Sequence, residues 1–235
     1  MMILKRYSQC LRIRRLKIIL QEGLDNMREY FDNELKQLNY ELVDMANIAE
    51  SMIQKVNNNI GSYSQEELDD VKTYYQKIDR KQRFIESECM KLLLLQQPVA
   101  SDLRQISSIL KMINDLQRIG DQAENISEIL AITYVSKNDN VKEMADLCVK
   151  MLSDGVNSFV NKDLKLANSV ISMDDKVDNN FNIVKEQLID IIHNDKNDGE
   201  YIIDILMCAK YFEKIGDHCV NIAKWTVFYL TGKHI

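Results

Sequence analysis

From Met27 to about Asn58, apolar residues fall every three or four positions: Phe31, Leu35, Leu38, Leu42, Met45, Ile48, Ala49 and Ile53. That spacing gathers them on one face of a helix. The run Asn57-Asn-Asn-Ile-Gly-Ser62 breaks the pattern, and Ser64-Gln-Glu-Glu67 reads as a capping box opening a second helix to about Leu95. Ile78, Ile85, Met90 and the Leu92–Leu95 run supply its apolar side. Pro98 suits the first turn of a third helix, because an N–H there has no partner to lose. That helix carries Leu103, Ile106, Leu110, Ile113, Ile119, Ala123 and Ile126 and ends near Lys137-Asn138. A fourth helix is expected over about 140–160, with Met144, Leu147, Met151 and Val156 inward. A fifth covers about 163–193 on Leu166, Val170, Val177, Phe181, Val184 and Leu188, and a sixth about 200–230.

The third and sixth helices share a motif. Gln117-Arg-Ile-Gly-Asp121 recurs 96 residues later as Glu213-Lys-Ile-Gly-Asp217, and the echo continues to Asn125-Ile126 and Asn221-Ile222. A glycine inside a helix costs about 1 kcal/mol relative to alanine. Two copies at matching places therefore predict a local need for close approach or for space. With three helices on either side of 137–140, the pattern predicts an all-α protein of two tandem three-helix bundles related by internal duplication. Residues 27–137 form the first repeat and 138–235 the second. On the sixth helix Ala209, Phe212, Gly216, Cys219 and Ala223 make a narrow small-residue seam toward the bundle.

Composition narrows the picture further. One proline and seven glycines in 235 residues leave little room for sheets or long loops. No apolar run approaches the roughly 18 residues of a membrane span, and the N-terminus lacks the features of a secretory signal. Cys10, Cys89, Cys148, Cys208 and Cys219 contain no Cys-x-x-Cys, which predicts reduced thiols and a cytoplasmic setting.

The net charge is −6, yet residues 1–26 carry six Lys/Arg against Glu22 and Asp25. The body is therefore acidic, which argues against nucleic acid as a partner. The basic head 1–26 reads either as a helix that touches a membrane surface or as an upstream extension from a misassigned start, Met27 being the initiator.

The candidate chemistry lies in carboxylates at i and i+4. Glu213 and Asp217 share one helix face, and Asp174 and Asp178, with Asp175 between them, offer a matching pair on the fifth helix. Antiparallel packing of those helices would gather four hard oxygen ligands, a set suited to a divalent or trivalent cation. A solvated acidic face is the alternative. Asp79 and Asp121 are the weaker counterparts in the first repeat, where Gln117 replaces the glutamate and Arg83 is expected at the position that Asp178 holds in the second. Asp115 and Glu124 are possible substitutes there. No nucleophile–base pair or phosphate-binding loop is present, so the motifs do not read as an enzyme. The absence of Glu-x-x-His on these helices counts against a carboxylate-bridged metal oxidase or store. A metal-free helical scaffold fits the composition as well.

Gln96-Gln-Pro-Val-Ala-Ser-Asp-Leu-Arg104, Asn114-Asp-Leu-Gln-Arg-Ile-Gly-Asp121 and Tyr211-Phe-Glu-Lys-Ile-Gly-Asp217 resemble the PhoU family of phosphate-specific transport system accessory proteins. The resemblance runs from about residue 27 to the end. It implies a cytoplasmic homodimer that represses phosphate-starvation signalling by coupling the ATPase subunit of a phosphate ABC transporter to a sensor histidine kinase. It implies membrane contact only through those partners. Family members hold metal clusters on paired E(D)xxxD motifs, which implies metal at Asp174, Asp178, Glu213 and Asp217. Iron, zinc, manganese and magnesium all suit such ligands. Gln117 and Arg83 depart from the motif, so the first repeat is expected to bind metal less well.

Overall fold

A computed structural model describes the backbone of residues 2–95, 99–132, 138–194 and 199–235, and side chains within 28–94, 99–132, 138–193 and 199–235. Among these residues the chain forms α1 (Met2–Asn59), α2 (Gln65–Leu95), α3 (Ala100–Ile132), α4 (Asp139–Val160), α5 (Leu164–Asn194) and α6 (Gly199–Thr231). The order and type of the elements are those the periodicity predicts. Helix α1 opens at Met2, well before the expected start at Met27. Pro98 and Lys137 lie outside the described residues, as do the side chains of the basic head.

Local signals account for the helix starts. The Ser64 N–H donates to Glu67 Oε2 at 2.8 Å, so the capping box forms at the head of α2. Asn138 caps α4, its Oδ1 accepting from the N–H groups of Asn140 at 3.0 Å and Val141 at 3.2 Å. Asp163 caps α5 in the same way, accepting from Lys165 and Leu166. Gly61 takes φ +89° in the α1–α2 turn, a left-handed conformation that glycine adopts without strain.

Helices α1–α3 form one bundle and α4–α6 the other, and the two join along α1/α4 and α3/α6. The buried face of α1 includes Leu38, Leu42, Met45, Ala49, Met52 and Ile53, and it is continuous with the core of the second bundle. The α6 seam is as expected: Ala209, Phe212, Gly216, Cys219 and Ala223 are all buried. Three apolar residues depart from expectation. Met90, Leu94 and Leu103 are exposed. Cys89, one turn after Ile85, takes the core position on α2, which turns Met90 about 100° away. Four consecutive leucines cannot share one face, so Leu92 is buried while Leu94 points outward. On α3 the buried face runs through Asp102, Gln105, Ile106 and Ile109, leaving Leu103 outside it.

Polar contacts hold the α3/α6 junction. Arg104 Nε donates to the Tyr229 carbonyl at 3.2 Å, Ser108 Oγ to the Trp225 carbonyl at 3.2 Å, and Tyr229 Oη to Gln105 Oε1 at 3.1 Å. These pairs run in opposite directions along the two helices, so α3 and α6 are antiparallel. Buried polar side chains are tolerated there because each finds a partner.

Candidate functional site

The second copy of the glycine motif explains itself sterically. A Cβ on Gly216 would stand 2.9 Å from Asp174 Oδ1 and 3.4 Å from Val177 Cγ1. Glycine therefore lets the Asp174 carboxylate of α5 lie directly against the α6 backbone. Around that contact Asp174, Asp178, Glu213 and Asp217 act on one another. The Asp174 carboxyl is pushed up to about 6, by burial first and then by Asp178, Asp217, Glu213 and Asp175. Asp178 is raised as well, by burial and then by Glu213, Asp217 and Asp175, with Lys210 opposing. The two i, i+4 pairs expected to face each other do so.

Two lysines partly balance this charge. Lys210 Nζ is 2.6 Å from Glu213 Oε1, and Lys214 Nζ is 2.6 Å from Asp217 Oδ2. Glu213 is the more enclosed acid, 15% exposed against 47% for Asp217. Its Oε2 is shielded from solvent and accepts no hydrogen bond; the Lys214 ammonium, 3.3 Å away, is its cation contact. Among the described residues that ion pair is the oxygen's one partner, and a second cation would have to share the carboxylate with Lys214. As placed, no three His, Cys, Asp or Glu side chains among the described residues converge to metal-ligand distances. Asp178 and Asp217 are the more exposed of the four. By charge and donor type, the residues fit a hard multivalent cation.

The first repeat keeps the geometry and changes the chemistry. A Cβ on Gly120 would meet Ile78 Cδ1 at 3.1 Å and Tyr75 Cδ2 at 3.4 Å. Tyr75 and Ile78 thus stand where Asp174 and Val177 stand in the second repeat, each 99 residues earlier. The same offset makes Asp79 the equivalent of Asp178 and moves Arg83 one turn further along. This corrects the register expected from sequence, in which Arg83 took the position equivalent to Asp178. Sequence alone allowed either alignment of α2 on α5, and packing against the glycine decides between them. Tyr75 Oη donates to Asp121 Oδ1 at 2.7 Å, and Arg118 donates to Asp121 Oδ2 at 3.0 Å. Asp79 is ion-paired with Arg83. The Tyr75 phenol is pushed up to about 12, first by its hydrogen bond to Asp121 and then by burial, which keeps it a neutral donor.

Residues beside the motif have other work. Asp115, a possible substitute ligand from the sequence, sits at the α3/α6 junction. It lies 3.0 Å from His218 Nδ1 and accepts from Asn221 Nδ2 at 3.1 Å. His218 and Asn221 therefore join the bundles rather than the acidic cluster. Glu124 stays near Asp121, and its carboxyl is raised by burial and by Glu128. Cys148 and Cys219 are fully buried beneath the cluster, with burial pushing both thiols well up. Sequence reasoning missed Tyr75, Lys210 and Lys214; the spacing of Lys210 and Lys214 from Glu213 and Asp217, three residues each, was the available signal.

Comparison with known proteins agrees with this architecture. The family model described as the PhoU domain matches twice, over residues 42–130 and 141–226. A phosphate-specific transport system accessory protein PhoU homologue from Clostridium acetobutylicum is 30% identical over 213 residues, covering 88% of this chain and 97% of that protein. A homologue of the same description from Pseudomonas aeruginosa is 27% identical over 216 residues, covering 89% of each. The crystal structure of PhoU from Pseudomonas aeruginosa superposes with a TM-score of 0.80 at 28% identity, covering 86% of this chain and all of that one. The phosphate transport system regulatory protein PhoU from Streptococcus pneumoniae gives 0.81 at 23% identity, covering 87% and 99%, and bears on the fold alone. With the domain matched twice, once in each bundle, and a full-length relative at 30% identity, the chain belongs to the PhoU family.

Proposed function

We propose that this protein is a cytoplasmic accessory protein of a phosphate-specific transport system that represses phosphate-starvation signalling when phosphate is plentiful. The observation that carries the reading is near-complete coverage of relatives described as accessory proteins of that system, 97% in the Clostridium acetobutylicum case. In this reading the protein acts as a homodimer between the transporter's ATPase subunit and a sensor histidine kinase. It reaches the membrane through those partners; none of the described helices is long and apolar enough to cross one. Deletion of the gene should derepress phosphate-starvation genes in phosphate-rich medium, and the intact gene should restore repression. Unchanged repression in the deletion strain would count against the assignment.

The acidic cluster of the second bundle is assigned a divalent or trivalent cation, held by Asp174, Asp178, Glu213 and Asp217. Iron, zinc, manganese and magnesium are the candidates. The support is the gathering of four carboxylates between α5 and α6, where burial first and then mutual repulsion raise Asp174 and Asp178. A bound cation would neutralise that repulsion and tie α5 to α6. Glu213→Gln with Asp217→Asn should then abolish most bound metal, and Asp121→Asn should remove little. Equal loss from both variants in elemental analysis would contradict the assignment.

A further inference from the structure

We propose that Tyr75 confines cation binding to the second bundle, its ring and hydroxyl taking the place that the Asp174 carboxylate occupies in the other repeat. The inference rests on the cation site proposed above. Compared corner by corner, the second cluster has Asp174, Asp178, Glu213 and Asp217, whereas the first has Tyr75, Asp79, Gln117 and Asp121. Each is flanked by two basic side chains: Lys210 and Lys214 in the second, Arg83 and Arg118 in the first. The four corner positions of the first cluster are therefore balanced by their flanking bases, with Glu124 close by, and those of the second keep two uncompensated charges, with Asp175 close by.

Charge balance alone does not single out Tyr75. Arg83 and Arg118 are 67% and 66% exposed, more so than Lys210 and Lys214, and such side chains can swing into solvent as a cation arrives. Tyr75 cannot leave as easily. Its ring lies over Gly120 beside Ile78, and its hydroxyl donates to Asp121. A phenol O–H in that position supplies a proton where a cation needs a lone pair, and it spends one oxygen of Asp121 in doing so. Gln117 weakens the set further, because a neutral amide is a poorer ligand for a hard cation than a carboxylate.

The test is equilibrium dialysis of the full chain against Mn2+, with bound metal measured by elemental analysis. Tyr75→Asp combined with Gln117→Glu rebuilds the four-carboxylate set and should raise the Mn2+ bound per chain by at least about one equivalent. Tyr75→Phe keeps the ring and should gain none. If the parent binds Mn2+ and the folded double variant binds no more, the role given to Tyr75 is wrong while the second-bundle site stands. If the parent binds none and the variant does, the second-bundle site is wrong, and Tyr75 keeps the cation out of the first bundle without confining it to the second. Binding by neither would overturn both. Should the double variant not fold, Asp174→Tyr carries the test from the other side. It should close the second cluster and weaken Mn2+ binding by at least tenfold, and unchanged binding would overturn the inference.

Discussion

Gly216→Ala should separate cation binding from stability. The added Cβ would stand 2.9 Å from Asp174 Oδ1, so the carboxylate must retreat by about 0.5 Å to reach ordinary contact. Alanine in mid-helix gains about 1 kcal/mol over glycine. Crowding in a packed interior costs about 1–3 kcal/mol. Here the obstructing atom ends a rotatable side chain, so the cost falls at the low end and the net change is about 1 kcal/mol or less. For a chain of this length that is a Tm shift of no more than about 4 °C. Displacing a ligand, by contrast, resembles removal of a group that orients one, which costs about 10–100-fold in metal affinity. Calorimetric melting of the cation-free variant and a Mn2+ titration read the two effects separately. Gly120→Ala is the internal control: its Cβ would meet the mobile end of Ile78 at 3.1 Å, and Mn2+ binding should not change. Unaltered Mn2+ affinity in Gly216→Ala would refute the reasoning. A Tm loss of more than about 8 °C would refute it too, since the backbone rather than the carboxylate would then have yielded.

Stability of the cation-free protein should fall as pH rises from about 4 to about 6. The folded Asp174 carboxyl is raised to about 6, so in that window the folded state holds a proton that the unfolded state has lost. Asp174→Asn should flatten this part of the Tm–pH curve, and an unchanged slope would remove Asp174 as its cause. Cys89, Cys148, Cys208 and Cys219 are buried with their thiols pushed up by burial. A thiol-reactive dye should label them only on unfolding, and rapid labelling of any of the four in the native protein would contradict the packing.

The helices were legible because the apolar residues of each keep a single face over many turns, and because one glycine motif occurs twice. That pairing also marked α6 as the element of the site, since a costly glycine repeated in place needs a reason. The partner of that glycine was not legible. Asp174 and Tyr75 share no chemistry, so nothing in the sequence says that they occupy equivalent places, and Arg83 could be aligned with Asp178 with equal ease. Asp115, His218 and Asn221 were unreadable for a related reason. They come from different repeats and meet only because α3 and α6 pack antiparallel. Met90 and Leu94 were misread because residue type alone does not say where a helix face turns away from the core.

Anomalous diffraction from crystals grown with Mn2+ locates the cation without reference to activity or to partners. The predicted result is a peak between α5 and α6, bounded by Asp174, Asp178, Glu213 and Asp217, with none beside Tyr75 and Asp121. A peak in the first cluster of equal height, or a Mn2+-bound protein with no peak between α5 and α6, would contradict it.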